Sequence, residues 1–254
     1  MKIIAIALNT FKEAIRDRIL YLLFFFAAVS VIFSRLLAVL TVGDRVKIVK
    51  DVGLASISLF GVLMAILIGT GLVYKEIDKK TIFTIISKPI RRFEFLLGKF
   101  FGLVLTLFIM TALMSLIFLL TVFFHTFKVE AGLLLAIVFI FIELILITAV
   151  AILFSCFSTP ILSSLFSLSF FLIGHFSWGF ETLIQKTKSA PLKLFAQGLY
   201  ILLPDLENFN FRTEVVYGLR VLPKYYLFSA FYGLVYTAFI LMLAILIFKR
   251  RDFV

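Results

Sequence analysis

Six stretches of this 254-residue chain are long and apolar enough to cross a bilayer, and they decide its fold class. They cover residues 19–42, 52–73, 100–124, 131–156, 161–180 and 225–248. A hydrocarbon core about 30 Å thick takes about 20 mostly apolar residues of helix. Inside it every backbone N–H and C=O must be bonded within the protein, and a single apolar segment achieves that only as a helix. The expected fold is an all-α polytopic membrane protein of six transmembrane helices, one transmembrane domain over 1–254. Composition agrees: 63% of residues are hydrophobic and 15% charged, too few charges to cover a water-facing surface.

The charges that remain set the orientation. An even number of spans puts both termini on one side. That side, with segments 1–18, 74–99, 157–160 and 249–254, carries 14 Lys and Arg against 10 on the other. Cytoplasmic loops collect Lys and Arg, so both termini are expected in the cytoplasm of a cell inner membrane. The net charge of +11 is scattered and reads as topology and lipid contact, not as a nucleic-acid surface. The opening residues do not read as a signal peptide, because the apolar run 3–8 is too short and Lys12, Glu13, Arg16, Asp17 and Arg18 follow it.

Several activities are excluded on the same page. Cys156 is the sole cysteine, so one chain forms neither a disulfide nor a cysteine metal cluster. No G-x-S-x-G, H-E-x-x-H or paired-acid pattern is present, and no catalytic or metal-ligating residue is assigned. The Gly98-Lys99 step lacks a P-loop around it, with Phe93 in place of the first glycine and Phe100 in place of Ser or Thr. Work driven by ATP would therefore need its nucleotide, with Mg, on another chain.

Three segments outside the spans carry pattern. In 1–18, Ile4, Leu8, Phe11, Ile15 and Ile19 recur at helical spacing with Asn9, Lys12, Glu13 and Arg16 opposite, which reads as an amphipathic interfacial helix. Extension of the first span into water is the other reading. In 74–99, Glu76 and Lys80 stand four apart, and Ile82, Ile85 and Ile86 form an apolar face before Pro89 ends the helix. A second helix with Phe93, Leu96 and Leu97 then runs into the third span. The cluster Lys88-Pro89-Ile90-Arg91-Arg92 would serve equally to hold lipid phosphates, but that leaves the isoleucine face without a partner. In 181–224, Ser189 is placed to cap a short helix bearing Leu192, Phe195, Leu199 and Leu202, a helical lid that stops at Pro204-Asp205.

Together these features resemble the permease subunits of ABC-2 type transporters, in particular the NosY-like branch. The resemblance runs over nearly the whole chain. It rests on Asn9-Thr-Phe-Lys-Glu-Ala-Ile-Arg-Asp-Arg18, on Ser87-Lys88-Pro89, Arg92-Phe93-Glu94 and Leu97-Gly98-Lys99, and on Leu202-Leu-Pro-Asp-Leu206. Lys80 departs from the glycine that many relatives carry before the threonine matched by Thr81. The resemblance implies two permease copies, identical or related, each docked on a P-loop ATPase, in an exporter. It makes 76–88 the coupling helix, with Glu76, Thr81, Ile82, Ile85, Ile86, Lys88, Pro89 and Arg92 at the ATPase. It makes 1–18 the connecting helix, with Phe11, Lys12, Glu13 and Arg16. A membrane anchor or sensor that docks some other cytoplasmic partner is the competing reading.

Polar residues inside the spans complete the reading. Glu143 lies mid-span, where a charge costs about 2.5–3.5 kcal/mol on insertion scales, and Arg35 lies toward the outer end of the first span. Glu143 is open to protonation, to pairing with Arg35 or a serine, or to a place in a pathway. His175 and Trp178 read most simply as interface markers. Gly61, Ala65 and Gly69 in the second span and Ser163 and Ser167 in the fifth read as packing within one subunit ahead of dimerisation.

Overall fold

The computed structural model describes residues 2–40, 44–78, 91–127, 130–176, 179, 193–194, 198, 204–219 and 221–250. The elements are all helical: α1 (Lys2–Ala14), α2 (Arg18–Leu40), α3 (Arg45–Asp78), α4 (Arg92–Thr126), α5 (Ala131–Ser155), α6 (Pro160–His175), a 3-10 turn (Leu206–Phe209), α7 (Arg212–Tyr217) and α8 (Pro223–Arg250). Five of them, α2 to α5 and α8, are long and apolar enough to span a membrane, and α6 is a shorter apolar helix. The polytopic α-helical fold read from the sequence is the one observed.

Helix lengths follow from where apolar runs stop and caps begin. The Asp17 carboxylate accepts from the Ile19 N–H at 3.0 Å and so caps the start of α2 just after α1 ends. α3, with 34 residues, is about 51 Å long and overshoots the hydrocarbon at both ends. α4 begins at Arg92, where the Glu94 carboxylate accepts from the Arg91 N–H at 2.8 Å, and continues through the third span without a break. The helix expected after Pro89 and the third span are one element.

α5 is the centre of the bundle. Residues Leu144, Leu146, Ile147, Ala149, Val150 and Ile152 are fully buried, and α3, α4, α6 and α8 all pack on it. Gly61 and Gly69 of α3 face Leu144 and Ala151 of α5, and Ser163 and Ser167 of α6 are fully buried. These small residues serve packing within the subunit, as expected. Large apolar side chains on α2 and α8, such as Phe25, Leu36, Phe231 and Met242, stay exposed, as lipid-facing residues do.

The fifth span is shorter than its apolar run. α6 ends at His175 after 16 residues, about 24 Å, short of a hydrocarbon core. The space beyond it is filled by the chain returning at 204–211: Leu206 and Phe209 are fully buried, and Leu206 lies against Gly174. Asp205 caps this turn through the Glu207 N–H at 3.1 Å, and its own N–H donates to the Tyr232 hydroxyl at 3.0 Å. The Ser189-capped helix, with Leu192, Phe195, Leu199 and Leu202, falls almost entirely outside the described residues.

Candidate functional site

Two regions at opposite ends of the bundle hold the chemistry. At the end where the chain starts and finishes, α1 lies along α4. Gly98 and Gly102 make the close approach feasible: a Cβ on Gly102 would sit 2.5 Å from the Ala7 carbonyl oxygen, and one on Gly98 2.6 Å from Ile6. Thr10 and Ala14 are fully buried in this seam, whereas Ile4 and Leu8 point away from the protein. The helix therefore carries two working faces. The stripe expected from its periodicity looks outward, and a second face of small residues docks on α4.

Glu13 corrects the expected polar face. It reaches Lys99, whose side chain is only 1% exposed, at 3.3 Å. A lysine so deep in a helical bundle requires an acidic partner, and α1 supplies it. Lys12 and Arg16 are exposed and Phe11 is half-buried. Sequence reading missed Gly98, Lys99 and Gly102 as the seat of α1; their signal was a small-xxx-small pair bracketing a lysine at the head of a span.

The loop expected to dock a partner is bracketed by described helices. Thr81, Ile82, Ile85, Ile86, Lys88 and Pro89 lie outside the described residues. Glu76 is in the last turn of α3, and its side chain is likewise undescribed. Arg92 is described: its guanidinium donates to the carbonyl oxygens of Lys249 at 2.8 Å and Phe248 at 3.3 Å. Carbonyls at a helix C-terminus lack intrahelical donors and attract cations, so Arg92 caps α8 while beginning α4. The 79–91 segment thus leads into a residue that grips the last helix.

At the far end, ion pairs clamp the start of α3 to its neighbours. Lys50, nearly buried, donates to both Glu130 oxygens at 2.7 Å. Asp51 meets Arg212 at 2.9 Å, and Asp44 meets Lys47 at 3.3 Å. The Lys47 side-chain hydrogen bond holds the Asp44 carboxyl below its ordinary value.

Beneath that rim lies a cavity of about 280 Å³ between α3, α5, α6 and the 209–212 segment. Glu143 lines it, nearly buried, with Oε1 at 3.4 Å from His175 Nε2. Arg35 is exposed on α2 and forms no ion pair among the described residues. Of the readings open to Glu143, a pairing with Arg35 is absent among the described residues, and the basic group that approaches it is His175, at 3.4 Å and without a hydrogen bond. The histidine read as an interface marker is drawn inward because α6 ends early. Trp178 lies outside the described residues. Asn210 and Arg212 complete the polar lining, brought there by a return of the chain that no local pattern announced.

The ABC-2 family transporter protein profile matches residues 4–253 of the chain. The chain belongs to the ABC-2 transporter permease family. No curated protein gives a significant match. The permease is accordingly a membrane subunit of an ABC transporter, and its family works with an ABC ATPase. The permease shows no nucleotide site on its described residues, and no group of three or more His, Cys, Asp and Glu among them is disposed to hold a metal.

Proposed function

We propose that this chain is the translocation subunit of an ATP-driven exporter of the NosY-like branch, coupled to a separate P-loop ATPase that binds ATP and Mg. The observation that carries the reading is the convergence at one end of the bundle. α1 is seated on the head of α4 through Glu13 and Lys99, and Arg92, four residues past the 76–88 segment, holds the end of α8. A push on that segment reaches α1, α4 and α8 together. The Lys and Arg excess at this end supports a cytoplasmic location for it in an inner membrane.

Residues 76–88 form the coupling helix in this reading, with Ile82, Ile85 and Ile86 as its face toward the ATPase. Two permease copies, identical or related, enclose the path between them. The test is to replace Ile82, Ile85 and Ile86 together with Asp and co-purify the complex from membranes. The expected outcome is a folded permease that loses its P-loop ATPase and the associated ATP hydrolysis. Unchanged co-purification and hydrolysis would remove 76–88 as the docking helix. A non-ATPase protein retained by the wild-type chain would favour the anchor or sensor reading.

A further inference from the structure

The Glu143 cavity is unexplained by packing or by coupling at the other end of the chain. Glu143 is about 2% exposed, and its Oε1 has no hydrogen-bond donor among the described residues, the 3.4 Å approach of His175 lacking hydrogen-bond geometry. A buried carboxyl oxygen without a donor is costly, and such groups in folded proteins mark a place where something else binds. The cavity that it lines, about 280 Å³, stands at the low edge of the roughly 300–1,000 Å³ range of small-molecule sites.

The surroundings select the occupant. Glu207 lies within electrostatic range of both Glu143 and His175 and Asp205 within range of His175, whereas Arg212, the guanidinium among the described residues that lines the cavity, forms an ion pair with Asp51 at 2.9 Å, its Nε making no hydrogen bond. The balance of charge thus calls for a cation and disfavours an anion. A hard metal ion takes six or more oxygens, more than the side chains of Ser58, Glu143 and Asn210 offer in an otherwise largely apolar lining. Phe171 and Phe211, which keep some accessible surface, instead present ring surface to an apolar body and a cationic head. We propose that the cavity between Glu143, His175 and Asn210 binds a small primary amine, its ammonium donating to Glu143 and its carbon body resting on Phe171 and Phe211. The lining comes from described residues of one subunit, and the proposal does not depend on the transport reading.

The test uses the full chain in phosphatidylcholine nanodiscs, with phenethylammonium as the probe and empty discs as the reference, read by calorimetry. Saturable one-to-one binding of phenethylammonium is expected, with phenethyl alcohol and phenylacetate at least tenfold weaker. Glu143→Gln is expected to weaken the ammonium at least tenfold and leave the alcohol unchanged. Should Glu143→Gln fail to yield a monodisperse protein, Ala55→Leu fills the cavity from the opposite wall with the carboxyl intact and is expected to lose the same binding. Equal binding of alcohol and ammonium, binding that survives both variants, or no binding above empty discs would overturn the proposal, the last leaving a cavity that holds only water.

Discussion

The Arg92 guanidinium donates to the Lys249 carbonyl oxygen at 2.8 Å across a sequence separation that spans most of the fold. The first residue of α4 and the last turn of α8 are thereby held as one unit. Replacing Arg92 with Ala removes two charge-assisted bonds, and partial exposure limits the effect to about 1–2 kcal/mol. Hydrogen exchange is expected to rise over 244–250 and not over α5. Lys in place of Arg is expected to recover only part of the protection, since an ammonium does not reproduce the guanidinium fork.

The seam between α1 and α4 predicts an ordering of glycine variants. Gly102→Ala forces a Cβ toward the Ala7 backbone oxygen, whereas Gly98→Ala meets the Ile6 side chain and, at 3.2 Å, the Ile3 carbonyl. Neither clash is cleared by a rotamer change, since Gly98 meets Ile6 at its Cβ, but Gly102 meets two residues of α1 below 3.0 Å, Ala7 and Thr10, where Gly98 meets one. Gly102→Ala is therefore expected to release α1 more than Gly98→Ala, measured as protease cutting within 2–14 while the spans stay protected.

Glu13 and Lys99 form a pair that is buried on one side only, with side-chain exposures of 36% and 1%. Removing one partner of a fully buried pair costs about 3–5 kcal/mol, and the exposure of Glu13 lowers that to about 2 kcal/mol here. Glu13→Ala is expected to lower thermal stability in detergent, with Lys99→Met on the same background recovering part of the loss. Additive losses in that double-mutant cycle would show the two residues to be uncoupled.

Much of this architecture is legible from apolar run length alone, because lipid leaves a segment few options. The limits of legibility are equally physical. α1 displays a stripe for the membrane, and that stripe masks the second face, in which Thr10 and Ala14 are too small to register as apolar periodicity yet are fully buried. His175 sits at the end of an apolar run and reads as an interface marker until the return of 204–211 is seen to occupy the space above it. Glu143 stood out as costly from the sequence, but the cavity that it lines is walled by residues of α3, α6 and 209–212, far apart in the chain. Pairings between distant segments leave no trace in a single sequence.

The rim at the far end offers a stability test free of the coupling surface. Lys50→Met leaves Glu130, which is half exposed, able to hydrate, so a loss of about 1 kcal/mol is expected. Charge-swapping both residues, as Lys50→Glu with Glu130→Lys, is expected to restore most of it, read by thermal unfolding. Failure of the swap to restore any stability would assign the effect to packing of the Lys50 stem.

Sidedness is open to direct labelling. Single cysteines at Asp44 and Leu219, both exposed and at the far end, are expected to react with an impermeant maleimide in intact cells, and one at Lys12 only after lysis. The opposite pattern would invert the orientation and remove the cytoplasmic assignment of the coupling segment.

In the proposed function, residues 76–88 meet a P-loop ATPase. A photo-crosslinking amino acid at Ile85, with Phe231 on the exposed face of α8 as control, measures that contact in native membranes. An adduct from Ile85 to a chain carrying a P-loop is expected, and none from Phe231. An Ile85 adduct only to lipid or to a protein without a nucleotide site would contradict it.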